Sequence, residues 1–572
     1  MSNMANKKAW LILVLLAAAF IVLHLPLLNK EYVPESDIWI TAGNSIAHVG
    51  YPYYHLPNDT FIPWDQPKGP MFAFLLGGGY ALFGEHEWVT RSVPTLFAFA
   101  QVFLLVLLAR GLFKERGGWL IGMIAASFVV FHPYFLQGST QTEVDVIAGF
   151  FSLLVLFFGW RIYERGGRYV LNYASFSLAV MFLFLNRFET APLLAALVAF
   201  FFLIKRGLVP GLTVLALAGL GIIMGATLMV SYAVVSGHSE SALAPFLSAL
   251  IYAHGPGAPA SAATVDRIFQ VFHLAPGSPL FPFLKPIFPF AALAVVAFTW
   301  LTIPLAFLIV FSLLVMWKNR KDLDDAMIFM ILPGILILLA LSLVTYQLLV
   351  FQRYFDGALL MLVTGIIAFH IKNWKLSGLS FRLNQPRIMA IVAAVFIATV
   401  LFATTPLSIF LADDRIISPP LRVGMMLAAT ILGAMFAAWR AKNRRTIAYI
   451  FAASICLVAV FTLATDIRDY AKPYALTSYY GNYGFKDAGE YLKKNVKPGQ
   501  VIVASDIIGY YYGGPFYAAS DYAASEKQFA AVNPDWVAVY RVPPKPTDEF
   551  IKENGKRILA ARFGTVEVYK KP

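Results

Sequence analysis

Hydrophobic positions in this chain fall in long unbroken runs, most of them about as long as the roughly 20 residues a helix needs to cross a bilayer. The pattern predicts thirteen spans, near residues 9–28, 88–109, 118–137, 146–163, 169–186, 190–204, 209–235, 287–316, 326–349, 354–371, 388–407, 421–439 and 446–465. The run 71–83 (MFAFLLGGGYALF) is apolar but too short to cross, and reads as a re-entrant or interfacial helix. Polar stretches interrupt the runs in three places. Residues 29–87 form a first loop furnished with acids (Glu31, Glu35, Asp37, Asp59, Asp65), Lys68 and many aromatics, too elaborate for a connector. Residues 237–286 are rich in Gly, Pro, Ser and His, with one short amphipathic helix around Val265 to Val271, and read as a mobile loop. After residue 466 the pattern becomes that of a soluble protein: FKDAGEYLKKNV predicts an amphipathic helix, while QVIVASD, DWVAVYR and RILAARFGTVEVYKK predict strands. The expected organisation is a membrane domain over 1–466 and a soluble α/β domain over 467–572.

Composition agrees. At 59% hydrophobic and only 13% charged, with a mean hydropathy of +0.68, the chain holds more apolar surface than a soluble core can hide, and is expected to be an α-helical polytopic membrane protein. The net charge of +13 does not point to nucleic acid, because the basic residues cluster in short connections on alternate sides of the runs. One side collects 21 Lys and Arg and the other nine, which puts the N-terminus in the cytoplasm; with an odd number of spans the C-terminal domain is then extracytoplasmic. Lys7 and Lys8 precede the first run as in a signal peptide, but no cleavage site comes after it, so a retained signal-anchor is expected. The single Cys456 excludes an intrachain disulfide and a cysteine metal site. Acids are distributed the opposite way to the cations, 15 outside against five inside, so chemistry is expected on the outer face.

Several outer residues are candidates for it. Asp37 opens a segment with Ile38, Ala42, Ser45, Ile46 and Val49 at helical spacing, expected to be an amphipathic helix lying on the membrane. Asp37 either caps that helix or acts as a general base toward an acceptor hydroxyl or amine; Glu35 is the alternative base. Lys68, between Pro67 and Pro70, offers a point charge to a lipid phosphate or simply snorkels to headgroups. Arg353 and Tyr354, at the outer end of the tenth span, bring a guanidinium and a phenol suited to a phosphate. Glu143 and Asp145 are one residue apart and point to different sides, so they cannot share a proton; Asp145 either orients an acceptor or sugar or sits at the start of a helix. Arg187 and Glu189 form a local ion pair or line the same cavity. His238, His254 and His273, with Glu240 and Asp266, match no compact zinc pattern. There is no P-loop or G-x-G-x-x-G to hold a nucleotide.

The order of motifs in the first loop resembles the GT-C glycosyltransferases, and among them the protein O-mannosyltransferase group that includes lipid A aminoarabinose transferases. The matching residues are Asp37, Gly50, Pro52, Tyr53, Pro67, Lys68, Pro70, Phe83, Gly84, Glu87 and Arg91. The resemblance implies a GT-C membrane domain of about 13 transmembrane helices with a C-terminal extracytoplasmic α/β domain. It implies inverting transfer of a sugar from a polyprenyl-phosphate carrier to a protein, lipid or cell-envelope glycan. It further implies Asp37 or Glu35 as base, Lys68 with Arg353 and Tyr354 as ligands of the carrier phosphate, and an acid at Asp145 in the site. Members differ in metal use, so a divalent metal stays open and no other cofactor is implied. Two departures stand out: the adjacent Asp-Glu of many relatives is Glu35-Ser36-Asp37 here, and their Lys-Pro-Pro is Lys68-Gly69-Pro70, expected to loosen the turn. The W-W-D signature of oligosaccharyltransferases is missing. The rival reading is a secondary transporter or lipid flippase, which would place ionisable groups within the spans and build them from repeated halves; the spans are nearly free of interior charge and His370 lies near a cytoplasmic end. A third is a scaffold that binds cell-wall glycans. A reporter active only in the cytoplasm, fused after Pro572, should be silent, and a bright signal would overturn the topology.

Overall fold

Lipid offers a backbone no hydrogen-bond partner, so an apolar run must close its own bonds as a helix. The structure is a computed structural model that describes residues 2–32, 36–56, 60–64, 69–114, 117–140, 144–165, 170–239, 242–245, 303–344, 356–376, 419–441, 443–470, 483–518, 532–540, 557–564 and 566–572. The first loop carries α2 (Ser36–Val49), the hairpin β1 (Tyr53–Leu56) and β2 (Thr60–Pro63), and α3 (Met71–Phe83), after an N-terminal α1 (Ser2–His24). The membrane domain continues with α4 (Glu87–Leu112), α5 (Gly118–Phe131), α6 (Pro133–Thr140), α7 (Asp145–Arg165), α8 (Val170–Phe184), α9 (Thr190–Arg206) and α10 (Leu208–Val235). It ends with α11 (Ile303–Lys318), α12 (Asp325–Val344), α13 (Asp356–Leu376), α14 (Pro419–Arg440) and α15 (Arg444–Tyr470). Among the described residues five helices are long and apolar enough to cross a membrane. The expected span at 388–407, and the loop from residue 246 to 286 with its short helix, lie outside the described residues.

One span differs from expectation. Residues 118–137 are not a continuous helix: α5 stops at Phe131, His132 is extended (ψ 128°), and α6 restarts at Pro133. Proline has no N–H to continue the ladder and pushes the preceding residue out of helical geometry. At the centre of the bundle lies α13, packed by α5, α7, α12 and α15.

The first loop is not a surface decoration. α2 crosses α3 closely because glycines meet there: a side chain on Gly43 would run into Leu76, and one on Gly77 into Ile46. Trp39 of α2 is buried against Trp64 and Phe72, with ring centres 5.0 and 5.2 Å apart. On the face where the sequence places apolar and small residues, Ala42 is buried, Ile38, Ser45 and Ile46 are half-buried and Val49 is exposed, and α3 packs against the helix.

The C-terminal segment folds as α16 (Phe485–Asn495), β3 (Ile502–Ala504), α17 (Asp506–Tyr512), β4 (Tyr517–Ala518), β5 (Trp536–Tyr540), β6 (Ile558–Phe563) and β7 (Val566–Lys570). The sheet order is β4-β3-β5-β7-β6. β3 runs parallel to β4 and β5, and β5, β7 and β6 are antiparallel. Phe485, Leu492, Ile507 and Ile508 from α16 and α17 bury one face with Ile502, Trp536, Val566 and Val568. Tyr32 and Ile40, from the far end of the sequence, belong to the same apolar cluster.

Between α3 and α4, Glu85 accepts a 2.6 Å hydrogen bond from Asn44 Nδ2 of α2. Burial raises its pKa from 4.5 to about 7; the Asn44 bond opposes this and nearby Glu87 adds to it. The folded protein thus keeps this proton at a pH where the unfolded chain has lost it. Its stabilising contribution is therefore fully present below about pH 4.5 and is lost as pH rises through about 7. Melting temperature in detergent should fall over that window, and Glu85→Gln, which fixes a neutral side chain, should flatten the fall.

Candidate active site

Lys68 stands between prolines in the sequence, and the residues after it dock onto a distant turn of the bundle. Gly69 N–H donates to the Asn186 carbonyl (3.3 Å) and Met71 N–H to the Leu185 carbonyl (3.2 Å), pinning the start of α3 to the turn after α8. A Cβ on Gly69 would collide with the Leu185 carbonyl. The glycine therefore does not loosen this turn: it permits a close backbone approach, and proline at that position would lack the N–H that Asn186 accepts.

Beyond Asn186 the chain presents Arg187. Its Nη2 donates to Asp145 Oδ1, and its Nη1 to Glu189 Oε1 at 3.3 Å. Asp145 opens α7, where the helix N-terminus favours a carboxylate. Arg187 and Asp145 are both buried, with side chains 7% and 5% exposed, whereas Glu189 is 45% exposed. In a low-dielectric site each charge is tolerable only because the other is present. Of the two readings of Arg187 and Glu189, both hold: they pair, and they line a cavity with Asp145, Ser152, Thr190 and Gly357. At about 20 Å³ that cavity has room for little more than one water-sized group. Its far wall is the start of α13, where Gly357 abuts Gly149 of α7.

A second cavity, of about 280 Å³ and almost wholly apolar, is lined by Leu185 of the same turn. Tyr51, Trp64, Met71, Phe74, Phe182 and Tyr232 are among its walls. At its edge Tyr53 Oη lies 2.7 Å from His238 Nε2, and the His238 ring packs on Tyr51. This wall is not legible in the sequence, since its residues come from the first loop, α3, α8 and α10. Sequence reasoning also misses Asn186; it is fully buried, its amide nitrogen donating to the Phe182 carbonyl at 2.7 Å.

Of the residues expected in the site, Asp145, Arg187 and Glu189 are brought together. Glu35, Lys68, Glu143, Arg353 and Tyr354 lie outside the described residues. Asp37 is the second residue of α2, two before the buried Trp39. Of the histidine set only His238 is described, and among the described residues no three His, Cys, Asp or Glu side chains gather to hold a metal ion. Two motif residues have a different place from the cavity: Glu87 pairs with Lys486 of α16 at 2.6 Å, and Arg91 is buried with its guanidinium on backbone carbonyls.

The fold is that of the GT-C membrane glycosyltransferases. Residues 65–232, which hold Lys68, Glu143, Asp145, Arg187 and Glu189, match the family described as dolichyl-phosphate-mannose-protein mannosyltransferase. ArnT from Cupriavidus metallidurans in the apo state superposes with a TM-score of 0.55 at 14% identity, covering 100% of this chain and 99% of ArnT. ArnT bound to undecaprenyl phosphate gives 0.53 at 14% identity, covering 98% of each chain. The archaeal oligosaccharyltransferase AglB from Archaeoglobus fulgidus, in complex with an inhibitory peptide and a dolichol-phosphate, gives 0.51 at 12% identity, covering 100% of this chain and 75% of AglB. Comparison with curated protein sequences returns no match.

Removing Arg187 should leave Asp145 buried and unbalanced. Arg187→Ala is expected to destabilise by about 3–5 kcal/mol, and adding Asp145→Asn should recover part of the loss, measured by thermal unfolding in detergent.

Proposed function

We propose that the chain is an integral membrane glycosyltransferase that moves a sugar from a polyprenyl-phosphate carrier to an acceptor on the extracytoplasmic face, by inverting displacement. One observation carries the reading: the turn Leu185–Arg187 contributes Leu185 to an apolar cavity and Arg187 to a buried polar cluster, and the segment after Lys68 is hydrogen-bonded to that same turn. An isoprenoid chain suits the apolar side and its phosphate the polar side. The match of residues 65–232 to a family named for dolichyl-phosphate-mannose, and the lipid phosphates bound by ArnT and AglB, support it.

In this reading Asp37 takes the proton of the acceptor nucleophile, which attacks the anomeric carbon as the carrier phosphate leaves. Lys68, Arg353 and Tyr354 stabilise the charge growing on that phosphate. The sugar arrives already activated, so no nucleotide site is needed. Asp145 is committed to Arg187 and orients sugar or acceptor rather than accepting the proton; Glu189 pairs with Arg187 beside it, and Glu143 is a further ligand of the substrate. Glu35 is the alternative base. The N-terminus is cytoplasmic and the C-terminal domain over 467–572 extracytoplasmic, on the same side as the first loop that contacts it.

Purified protein given radiolabelled undecaprenyl-phosphate mannose, arabinose or aminoarabinose, with membrane acceptors, should release label to an acceptor. Asp37→Asn should lower turnover by about 10²- to 10⁴-fold while undecaprenyl phosphate still binds, and Lys68→Ala should weaken that binding. Movement of the lipid across vesicles without cleavage would overturn the reading in favour of a flippase.

A further inference from the structure

Asp37 sits at the start of α2, and the residues on either side of it are held by the C-terminal domain. Five positions before it, Tyr32 N–H donates to Tyr511 Oη of α17 at 2.8 Å, and its ring packs on those of Tyr510 and Tyr511. Three positions after it, Ile40 is fully buried in the cluster that includes Phe485, Ile508 and Trp536. The base of the proposed reaction is thus bracketed by two side chains whose packing partners lie more than 440 residues away in sequence.

The bracket is anchored by Glu31. A helix begins with amides that have no intrahelical partner, and at α16 the N-cap is Gly484, which has no side chain to serve them. The carboxylate of Glu31 does so instead. Its Oε1 accepts from the N–H groups of Tyr483 and Gly484, the latter at 2.8 Å, and its Oε2 from Lys486 N–H at 3.0 Å. Beneath, Arg91 of α4 holds the same stretch by its carbonyls: Nε donates to Lys30 O at 3.0 Å, Nη2 to Glu31 O, and Nη1 to Thr140 O at 2.7 Å. Lys30 and Glu31 are therefore gripped from the membrane bundle below and from α16 above. The ion pair between Glu87 and Lys486 closes the same seam from outside.

We propose that the C-terminal domain is part of the active-site scaffold, and that Glu31 is a positioning residue which, with Tyr32 and Ile40, fixes the N-terminal turn of α2 and so the location of Asp37. The inference rests on Asp37 being the base of the proposed transfer. The chemistry of the contact makes it specific. A carboxylate presents acceptors on both oxygens, whereas a glutamine amide must turn its NH₂ toward one of the α16 amides and lose that contact. Loosening would then act on geometry, and a misplacement of about 1 Å at a reacting group costs about 10²-fold in rate. A domain that was only an appendage would leave turnover unchanged by such a substitution.

The test uses the full-length protein in detergent with the undecaprenyl-phosphate sugar that the wild type transfers. Glu31→Gln is expected to lower kcat by about 10- to 100-fold, with KM for the carrier within about two-fold, and to speed hydrogen exchange of the amides of residues 36–49. Glu31→Asp, which keeps both acceptor oxygens, should restore part of kcat. Tyr511→Phe removes only the hydroxyl that accepts the Tyr32 N–H; it should lower kcat about three- to ten-fold and serves as the deciding variant if Glu31→Gln does not fold. Unchanged kcat and unchanged exchange in Glu31→Gln and Tyr511→Phe would overturn the inference, as would a rise in KM with kcat unaltered. Wild type and Asp37→Asn run alongside separate this from the function itself: no transfer by the wild type, or normal turnover by Asp37→Asn, sinks the underlying reading, and the exchange of residues 36–49 then decides the positioning claim alone.

Discussion

A carboxylate can be buried only if its oxygens are filled, and at the seam of this molecule Glu31 is filled by three backbone amides of another domain. Desolvation nevertheless wins over those bonds and raises its pKa above the ordinary glutamate value. The arrangement is therefore held together by its surroundings: Arg91 grips the backbone on one side, Tyr32 and Tyr511 pack on the other, and Lys486 pairs with Glu87 at the rim. Without that seam Glu31 would lose the three amides that fill its oxygens. With it, Tyr32 and Ile40, on either side of the start of α2, are buried in the apolar cluster of the C-terminal domain.

A second buried pair organises the site itself. Arg187 and Asp145 neutralise each other where α7 and the turn after α8 meet, and the same turn takes the backbone of Gly69 and Met71. Close approach by glycine does in the membrane domain what large apolar contacts do in water-soluble cores. Lipid chains are as apolar as leucine, so tight backbone contact and hydrogen bonds, rather than escape from water, hold such elements together. Gly43 against Leu76, Gly69 against Leu185 and Gly357 against Gly149 are three instances.

In the proposed reading, these features describe an enzyme assembled from separate supports. In that reading the lipid carrier is held by the apolar cavity, walled by the first loop and the bundle together, and by the Arg187 cluster. The proposed base belongs to a helix that packs on α3 and is flanked by Tyr32 and Ile40, both buried in the apolar cluster of the C-terminal domain. Residues 65–232 match a mannosyltransferase family, but Asp37 and Glu31 lie before that stretch and α16 far beyond it. The match therefore covers Lys68, Asp145 and Arg187 but neither Arg353 and Tyr354 nor the proposed base.

The sequence by itself determined the membrane class and most helix positions, because a bilayer forces apolar runs of about 20 residues to be helices whatever they pack against. It also marked α16 and the strands of the C-terminal domain, through helical and alternating periodicities that are local properties. It named Asp145, Arg187 and Glu189 as charged residues beside apolar runs, where an ion is costly enough to suggest a purpose. The tertiary structure alone decided the rest. That Arg187 pairs with Asp145, 42 residues earlier, depends on how two helices meet. That α2 packs closely on α3 comes from the approach of Gly43 and Gly77, and that Ile40 is buried comes from a domain encoded at the other end of the chain. Glu31 read as one acid among five in a polar loop; only folding brought three amides to it, because a hydrogen bond between positions 31 and 484 leaves no periodicity in the sequence to be read.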